Sequence, residues 1–388
     1  MKTIHVVVAT GEWTRDSLRY RRHRLAEYLQ KQQDTEEVIW LYPSSKDKRK
    51  PKKLLNGLTQ WPLTDAGKNK LFRFSRFLAF FYQKKLDTLV AYLEKRKQGC
   101  QLVLWYTYPA YANLSERFSW DNIIYDCSDL WAQPISGTQS FLMAVRQKLI
   151  YRSEEKIIQQ AKHITCTSLY LFNQIQERVP ESKRDNVYTY ENGVEFASFQ
   201  INEKANTILP DYAKGTVFGY IGGIKPKLDF DLIKKVAQQK KDWFFLFVGP
   251  DGTNGSADFQ QLLQEKNVWW TGSIPAHIVP TYMNTIDIGI MPYKPSLYNK
   301  AIFPLKLFEF LAAGKAAVGV NLPSTDSYKE AGVYCSIDTS DSQVFIQACE
   351  AMEKHIDNKE RRNRRIELAK TKDWDTIFTE IVKRVSVR

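Results

Sequence analysis

A lysine and a glutamate stand three residues apart in one of the most apolar stretches of the sequence, FPLKLFEFLAAGKAAV at 303–318. The stretch predicts a buried helix over 304–313 and a buried strand over 316–320, and the spacing puts Lys306 and Glu309 on one helical face. Charged side chains are rarely buried without a partner. The pair is therefore either an ion pair on a half-exposed helix or a pair of ligand contacts.

A second candidate lies upstream, in GYIGGIKPKLDFDLI at 219–233. A predicted strand runs into Gly222 and Gly223, and a loop with Lys225 and Lys227 leads into a helix. Glycines allow close approach of a phosphate, and a helix N-terminus supplies N–H groups and positive potential. The segment predicts a diphosphate cradle, although its spacing is not the dinucleotide fingerprint G-x-G-x-x-G. The alternative is a tight turn with solvated lysines.

Asp229 and Asp231 form a DxD pair, a pattern that can hold a metal-bound nucleotide. We favour a structural role, because Asp229 stands at an N-cap position and Asp231 in the first turn, where carboxylates are stabilising. Asp373 and Asp375 are interpreted in the same way. We therefore expect no metal site and no cofactor.

Two further carboxylates, Asp126 and Asp129, follow the predicted strand in IIYDCSDLWAQ at 123–133. Open parallel sheets bind ligands at the carboxyl ends of their strands. Either carboxylate could orient an acceptor hydroxyl or act as a base. The alternative for Asp129 is the N-cap of a following helix.

The loop after the first predicted strand, TGEWTRDSLRYRRHR at 10–24, is on the same ligand side. Gly11 begins this loop, and Arg22 and His23 stand in an arginine-rich helix start. We expect these three residues on the acceptor side of the site, where the basic cluster could meet an anionic acceptor.

The elements that must position these residues alternate between strand and helix. This rhythm predicts parallel sheets with right-handed crossovers, in two consecutive doubly wound α/β series separated by the polar linker ILPDYAKG at 208–215. The predicted strands of the first series are 4–10, 37–42, 101–109, 122–126, 163–168 and 186–193, with helices at 21–32 and 139–161. Those of the second are 217–224, 243–249, 267–272, 286–293 and 316–320, with helices at 229–239, 280–285 and 304–313. A terminal amphipathic helix is predicted over 374–385.

Length and composition agree with two soluble globular domains: the chain has 388 residues, 43% hydrophobic and 26% charged. The net charge of +13 favours an anionic partner. Five scattered cysteines argue against a disulfide framework or a zinc site and fit a reducing cytosol. The N-terminus does not resemble a signal peptide, and no stretch is long enough for a membrane span. We expect no nucleic-acid partner, because RNA-binding signatures are absent.

Two basic segments raise the question of a membrane surface. Lys46–Lys53 (KDKRKPKK) contains six basic residues of eight, and Lys70–Leu86 mixes phenylalanine with arginine and lysine at helical spacing. Together they predict an interfacial helix beside a polybasic loop, which would bind an anionic bilayer. The alternative is an amphipathic helix whose phenylalanines fill the core.

Taken together, these motifs resemble retaining glycosyltransferases of the GT-B type, close to family 4, over nearly the whole chain. FPLKLFEFLAAGKAAV resembles their donor-site segment, and ENGVEFASF at 191–199 resembles the motif before the interdomain crossover, with Glu195 replacing the usual aspartate. Within the family, the Arg-rich segment and the GYIGGI loop look similar to teichuronic acid glycosyltransferases of Gram-positive bacteria.

The resemblance implies two Rossmann-like domains facing across a cleft: an acceptor-binding domain at 1–200, a nucleotide-sugar domain at 201–365, and a C-terminal helix at 366–388 crossing back. Glu309 would bind the ribose hydroxyls. Lys306, with Lys225 or Lys227, would neutralise the leaving diphosphate without a metal. Asp126 or Asp129 would face the acceptor.

One departure concerns the family's second glutamate, whose position is Ala301 here. Asn299 is a candidate replacement for its contact to the sugar, and Pro304 with Lys306 satisfies a Pro-x-Lys subgroup pattern. We expect a cytoplasmic enzyme, peripheral on the inner face of the plasma membrane, that moves a sugar from a UDP-linked donor to a lipid-linked or polymeric cell-wall glycan. The alternatives are a UDP-sugar 2-epimerase of the same architecture and a non-catalytic nucleotide-sugar-binding subunit.

Overall fold

The computed structural model describes residues 1–14, 19–45, 50–135, 141–200 and 208–386. It consists of two compact units, each with its own parallel sheet. The chain passes from the first unit to the second between Glu191 and Asn192, and returns to the first between Ile377 and Phe378.

In the described residues, the first unit contains an eight-stranded sheet of order β3-β4-β2-β1-β5-β6-β7-β8, and among these strands only β3 runs antiparallel to its neighbour. Its elements, in chain order, are β1 Lys2–Val8, α1 Arg21–Lys31, β2 Thr35–Ser44, β3 Lys52–Lys53, β4 Thr59–Thr64, α2 Ala79–Tyr82, α3 Asp87–Glu94, β5 Cys100–Tyr106, β6 Asn122–Cys127, α4 Phe141–Gln160, β7 His163–Cys166, α5 Leu169–Gln176 and β8 Val187–Thr189.

The second unit contains a six-stranded parallel sheet of order β11-β10-β9-β12-β13-β14. Its elements are β9 Val217–Ile221, α6 Phe230–Gln239, β10 Phe244–Val248, α7 Ala257–Leu262, β11 Val268–Trp270, α8 Val279–Thr285, β12 Ile288–Pro292, α9 Leu297–Ala301, α10 Lys306–Ala312, β13 Ala316–Val320, β14 Tyr334–Ile337, α11 Ser342–Glu353, α12 Lys359–Lys370 and α13 Trp374–Ser386. The strand order reverses between β9 and β12, which makes the carboxyl edge there a topological switch point.

Two paired glycines next to this switch point leave room for groups packed on the sheet. Gly219 of β9 pairs with Gly289 of β12. A Cβ added to Gly289 would lie 2.3 Å from Cγ of Phe310 in α10, and one added to Gly219 would lie 2.2 Å from Cδ1 of Ile286, the residue that follows α8. The missing side chain of Gly289 therefore lets α10 pack directly on the sheet, and that of Gly219 makes room for Ile286.

The segment 70–86 is not the continuous helix that its pattern predicted. It consists of a 3-10 helix (Lys70–Phe77), the single turn α2 and a second 3-10 turn (Gln83–Leu86). The carbonyl of Arg76 accepts the N–H of Tyr111 at 2.9 Å rather than an N–H one helical turn later, and Leu78 is extended. Tertiary contacts therefore override the local helical pattern.

Other local predictions differ in extent. The strand predicted over 186–193 ends at Thr189, and Lys52–Lys53, expected in a loop, form the edge strand β3. The sequence analysis assigned no range to several elements: β4, β14, α3, α5, α7, α9, α11 and α12. The last helix, α13, belongs to the first unit from Phe378 onward: Thr379 Oγ1 and Tyr28 Oη share a hydrogen bond of 3.0 Å, and Asn122 Nδ2 donates to the carbonyl of Val385 at 2.8 Å.

The buried Arg365 of α12 ties three loops of the second unit together. Its guanidinium donates to the carbonyls of Gly332, Gly314 and His355 at 2.7, 2.9 and 2.9 Å, and the residue is 1% exposed. Burial, together with the charges of Arg362 and Arg361, lowers its pKa to about 10.

We expect Arg365→Met to destabilise the second unit by about 3 kcal/mol or more, because three buried carbonyls lose a charged donor. Urea unfolding followed by tryptophan fluorescence measures the change. Arg364→Met is the matched control: Arg364 is half-exposed and pairs with Glu330, so its loss should cost under about 1 kcal/mol. Equal effects of the two substitutions would contradict the role given to Arg365.

Candidate active site

Lys306 and Glu309 lie in the first turn of α10 and contact each other. Lys306 Nζ is 2.5 Å from Glu309 Oε2, and the two side chains are 17% and 18% exposed. The sequence allowed either an ion pair or two ligand contacts, and the structure contains the ion pair. Its position decides what else it can do, because it stands at the switch point of the second sheet rather than on an outer helix face.

The glycine loop after β9 lies against this ion pair. Gly222 has φ +150° and its N–H donates to the carbonyl of Val248 at 2.8 Å. A Cβ at Gly222 would come within 2.9 Å of Lys306 Cε, and one at Gly249 within 2.1 Å of the Gly222 carbonyl oxygen. The structure thus brings together two motifs that lie more than 80 residues apart in the sequence.

Backbone bonds hold the rest of the loop to the neighbouring strand ends. The N–H of Ile224 donates to the carbonyl of Pro250 at 2.9 Å, and that of Asp229 to the carbonyl of Pro292 at 2.7 Å. Lys227 accepts at its carbonyl from the N–H of Lys294 at 2.9 Å. The loop is therefore fixed on two sides, and the half-buried side chains of Lys225 and Lys227 start from a defined backbone.

Tyr293, just after β12, connects these parts and was not identified from the sequence. The ammonium of Lys227 lies 4.5 Å from the centroid of its ring. Burial raises the pKa of the Tyr293 hydroxyl, which also interacts with Tyr220 and with the carboxylate of Glu309. Tyr220 in turn donates a long hydrogen bond of 3.4 Å to the carbonyl of Gly223. A neutral tyrosine therefore lies between the glycine loop and Glu309.

Asn299 and Pro304 are buried and do not offer surface contacts to a sugar, which corrects the expectation for Asn299. Asn299 is 0% exposed, and its Nδ2 donates to the carbonyls of Lys294 and Lys227 at 2.7 and 3.3 Å. It positions the lysine loop from beneath. Nearby, Asn192 Nδ2 donates to the carbonyl of Phe303 at 2.6 Å, so the start of the second unit supports the segment before α10.

The DxD at Asp229 and Asp231 has the structural role expected from the sequence. Asp229 Oδ1 accepts from the N–H of Leu232 at 3.1 Å as the N-cap of α6. Asp231 forms an exposed ion pair with Lys235 at 2.7 Å. Both carboxylates are thus bound by groups of α6 itself.

In the first unit, Asp126 was expected as a carboxylate that could face the acceptor, but it is engaged in the protein interior instead. It is 2% exposed, its two oxygens receive Arg21 Nε at 3.0 and 2.9 Å, and its Oδ1 also accepts from the hydroxyl of Thr165 at 2.7 Å. Arg21 Nη1 also donates to the carbonyl of Glu191 at 2.9 Å, and its guanidinium lies 5.6 Å from the ring centroid of Phe378. The pair therefore holds the two points at which the chain leaves and re-enters this unit.

Asp129 remains the carboxylate that an acceptor could reach. It is half-buried in the turn after β6 and receives a long hydrogen bond of 3.4 Å from the hydroxyl of Ser128. The suggestion that it caps a helix is wrong, because the next helix in the described residues, α4, begins at Phe141.

His23 has a packing role rather than the acceptor contact expected from the sequence. It is 0% exposed, lies 5.0 Å from the ring centroid of Trp40, and its Nδ1 accepts from the N–H of Tyr20 at 3.2 Å. Burial, and then nearby arginines, lower the pKa of His23 to about 2. Arg22 stacks on Tyr20 at 4.5 Å. Of the acceptor-side candidates, Gly11 has open space around the position of a Cβ.

Arg21 was missed from the sequence, although a signal was present. Arg21, Leu25 and Leu29 stand at i, i+4 and i+8 in α1 and are all buried. A charged residue on the apolar face of a helix is the same signal that identified Lys306 and Glu309.

A cavity of about 330 Å³ lies away from both strand-end regions, at the amino ends of β2 and β4. Its polar groups bind one another: Tyr92 Oη donates to Glu37 Oε2 at 2.7 Å and accepts from Arg96 Nη1 at 2.8 Å. Thr59 donates to Glu37 Oε1 at 2.5 Å. We interpret this cavity as a satisfied structural network.

Comparison with known proteins identifies the family. Residues 215–355, which contain the glycine loop and the Lys306–Glu309 pair, match the family described as Glycosyl transferases group 1. The whole chain is 47% identical over 389 residues to TuaH of Bacillus subtilis strain 168, named as a candidate teichuronic acid biosynthesis glycosyltransferase, covering 99% of this chain and 98% of that protein. The chain belongs to the group 1 glycosyltransferases.

Solved structures confirm the predicted GT-B architecture of two Rossmann-like units. Sucrose-phosphate synthase from Thermosynechococcus elongatus superposes with a TM-score of 0.75 at 13% identity, over 98% of each chain. Anabaena HepE, solved with UDP and glucose, gives 0.68 at 14% identity over the full length of both. WaaG, a glycosyltransferase of lipopolysaccharide biosynthesis, gives 0.66 at 13% identity over 99% of this chain and 100% of that one. At these identities the likeness shows the fold alone.

We expect Gly222→Ala to weaken nucleotide binding about tenfold, because the new methyl group would displace Lys306 and strain the backbone. Calorimetric titration with a nucleoside diphosphate measures this. Gly272→Ala is the control, since Gly272 also has a positive φ, +73°, but open space around it. A loss of affinity in Gly272→Ala as large as in Gly222→Ala would assign the effect to backbone strain alone.

The buried His23 should make stability fall as the pH drops. The unfolded chain takes up a proton near pH 6.5, whereas folded His23 resists protonation down to a pKa of about 2. Its contribution is therefore complete above pH 6.5 and is lost below it, by up to about 1.4 kcal/mol per pH unit. His23→Asn should give a shallower slope of unfolding free energy than the parent protein between pH 6 and pH 4 (about one proton less). Parallel curves for His23→Asn and the parent protein would exclude this assignment.

Proposed function

We propose that this glycosyltransferase moves a sugar from a nucleotide-diphospho-sugar, a UDP-sugar, to a lipid-linked or polymeric glycan acceptor in bacterial cell-wall polysaccharide synthesis of the teichuronic acid type. The observation that carries the proposal is the Lys306–Glu309 pair at the switch point of the second sheet. The name of the TuaH relative supports the acceptor class, and the UDP in the HepE crystal supports the nucleotide.

In this proposal Lys306 and Glu309 separate when the donor binds, and each of them then contacts a different part of the donor. Glu309 turns from Lys306 to the ribose hydroxyls, because a carboxylate accepting from two hydroxyls forms charge-assisted hydrogen bonds. The released ammonium of Lys306 then faces the diphosphate beside Gly222. The pair in the free chain keeps both charges neutralised until the donor arrives, which limits the cost of holding them half-buried.

Negative charge accumulates on the diphosphate as the glycosidic bond breaks, so fixed cations there lower the barrier more than they aid ground-state binding. Lys306, Lys225 and Lys227 are the proposed cations, and no metal is required in this scheme. Lys227 is oriented by the ring of Tyr293 and by Asn299 beneath its carbonyl. Transfer with retention of configuration is part of the proposal and follows from the resemblance to family 4.

Asp129 is the proposed acceptor-side carboxylate, since Asp126 is committed to Arg21. A half-buried carboxylate after β6 could orient or deprotonate an acceptor hydroxyl. Gly11 and Arg22 remain proposed acceptor-side residues.

We further propose that the enzyme works at the cytoplasmic face of the plasma membrane as a peripheral protein. Within the part of the chain that the structure describes, each helix is too short or too polar to cross a bilayer. Phe72 and Phe80 are exposed, the latter 84%, and Arg73, Lys84 and Lys85 are exposed around them. Of the polybasic segment Lys46–Lys53, residues 46–49 lie outside the described residues, and 50–53 are exposed.

We expect Glu309→Ala to reduce the affinity for UDP and the turnover of UDP-sugar by tenfold or more, since the ribose loses its charged acceptor. Calorimetry with UDP, GDP and ADP, followed by a UDP-sugar transfer assay with membrane extract as acceptor, measures both. Glu330→Ala removes a carboxylate of the same unit that pairs with arginines on α12, and should behave as the parent. Survival of affinity and turnover within about threefold in Glu309→Ala would make the pair a structural ion pair only.

A further inference from the structure

The first three turns of α4 present an unusual outer face. Phe141, Leu142 and Val145 are 82%, 69% and 46% exposed, although a soluble helix normally turns such residues inward. The inward face of the same helix is already filled by Ile150, Ile157 and Ile158. The exposed apolar groups are therefore surplus to the packing of α4 against its own unit.

The same outer face also carries positive charge. Phe141, Val145, Lys148 and Arg152 stand at i, i+4, i+7 and i+11, which places them along one side of the helix. Lys148 and Arg152 are exposed, as is Arg146 next to the apolar group. The first carboxylate of α4 is Glu154, which is buried and pairs with Arg178 at 2.7 Å. The exposed face up to Arg152 is thus apolar and basic, without a carboxylate.

The helix that carries this face packs against the phenylalanine-rich segment 70–86, through the 3-10 helix Lys70–Phe77. The buried Tyr108 lies next to both elements. Its ring is 5.9 Å from that of Phe77, and although burial raises the pKa of its hydroxyl, the nearby charge of Arg146 on α4 opposes that shift. The exposed apolar and basic side chains of α4 and those of segment 70–86 therefore stand on two elements that pack together in the first unit.

We propose that the outer face of α4, defined by Phe141, Leu142, Val145, Lys148 and Arg152, binds an anionic bilayer together with Phe72 and Phe80. The inference rests on the proposed peripheral action of the enzyme and assigns to it a second contact that the basic segments of the sequence did not indicate. Apolar side chains flanked only by cations fit the boundary between acyl chains and anionic headgroups. An acidic protein partner would also match the charge, and the test separates the two.

The test is co-sedimentation of the full chain with vesicles of equal parts phosphatidylglycerol and phosphatidylcholine, and with phosphatidylcholine alone. Phe141→Ser with Val145→Ser, and separately Lys148→Gln with Arg152→Gln, should each weaken binding to the anionic vesicles about tenfold or more. Two controls are made at exposed positions elsewhere. Leu169→Ser with Val344→Ser removes two exposed apolar side chains, and Lys354→Gln with Lys359→Gln removes two positive charges. These controls should bind within about twofold of the parent.

Each alternative outcome overturns the inference in a recognisable way. If the α4 variants bind as the parent does while Phe72→Ser with Phe80→Ser does not, the membrane contact is confined to 70–86. If the charge controls weaken binding as much as Lys148→Gln with Arg152→Gln, the attraction is due to net charge alone. If the parent binds neither vesicle, the face serves another partner, and an acidic protein becomes the candidate.

Two measurements keep this test separate from that of the proposed function. Thermal unfolding of the α4 variants should match that of the parent, because the altered side chains are exposed. Titration with UDP should also be unchanged, because the donor site lies in the second unit. Vesicle binding that depends on α4, with no binding of UDP, would support the inference and contradict the proposed donor. Binding of UDP, with no vesicle binding that depends on α4, would contradict the inference and support the proposed donor.

Discussion

The backbone of Gly222 is packed between the backbone of Gly249 and the side chain of Lys306, and the candidate donor site depends on this close approach. Side chains at either glycine would separate the ends of β9 and β10 or move the lysine. Within the sheet, Gly289 of β12 likewise lets α10 lie directly on the sheet, because a Cβ there would overlap the ring of Phe310. Because Gly222, Gly249 and Gly289 lack a Cβ, the first turn of α10 lies against the loop that follows β9. A parallel sheet whose strand order reverses at this point leaves room at its carboxyl edge, and the ion pair occupies the border of that space.

Charges buried in both units have partners, but the partners differ in kind. In the first unit, Arg21 is committed to Asp126 and to the carbonyl of Glu191, and such an arrangement stabilises one position of the chain. Arg365 in the second unit donates only to carbonyls in the bonds described for it. The Lys306–Glu309 pair is less buried than either, with side chains that are 17% and 18% exposed. That difference in exposure distinguishes the buried structural charges from the candidate ligand contacts, although all of these charged groups have partners in the protein.

The fold was largely predictable. The alternation of β-branched runs with amphipathic helices indicated two consecutive parallel sheets, because strands buried on both faces are continuously apolar. Short or atypical strands could not be predicted in this way. The strand β4 contains Pro62 and Gln60, which are unusual in a buried strand, and Lys52–Lys53 form a strand because they pair with β4 as an antiparallel edge. The segment 70–86 shows the limit most clearly, since its helical period is real but the carbonyl of Arg76 is bound by Tyr111 from a distant part of the chain.

The sequence by itself determined which residues are unusual for their surroundings: Lys306 and Glu309 in an apolar helix, paired glycines after a strand, and carboxylates at strand ends. A residue type and its spacing express local chemistry, so the N-cap at Asp229 followed directly. Only the tertiary structure decided which of these residues are satisfied by the protein. It placed Arg21 on Asp126, buried His23 among tryptophans, put Asn299 beneath the lysine loop and introduced Tyr293 between Lys227 and Glu309. Such partners come from elements far apart in the chain, and their choice depends on which strand ends meet at one edge of a sheet, a relation that no local pattern contains.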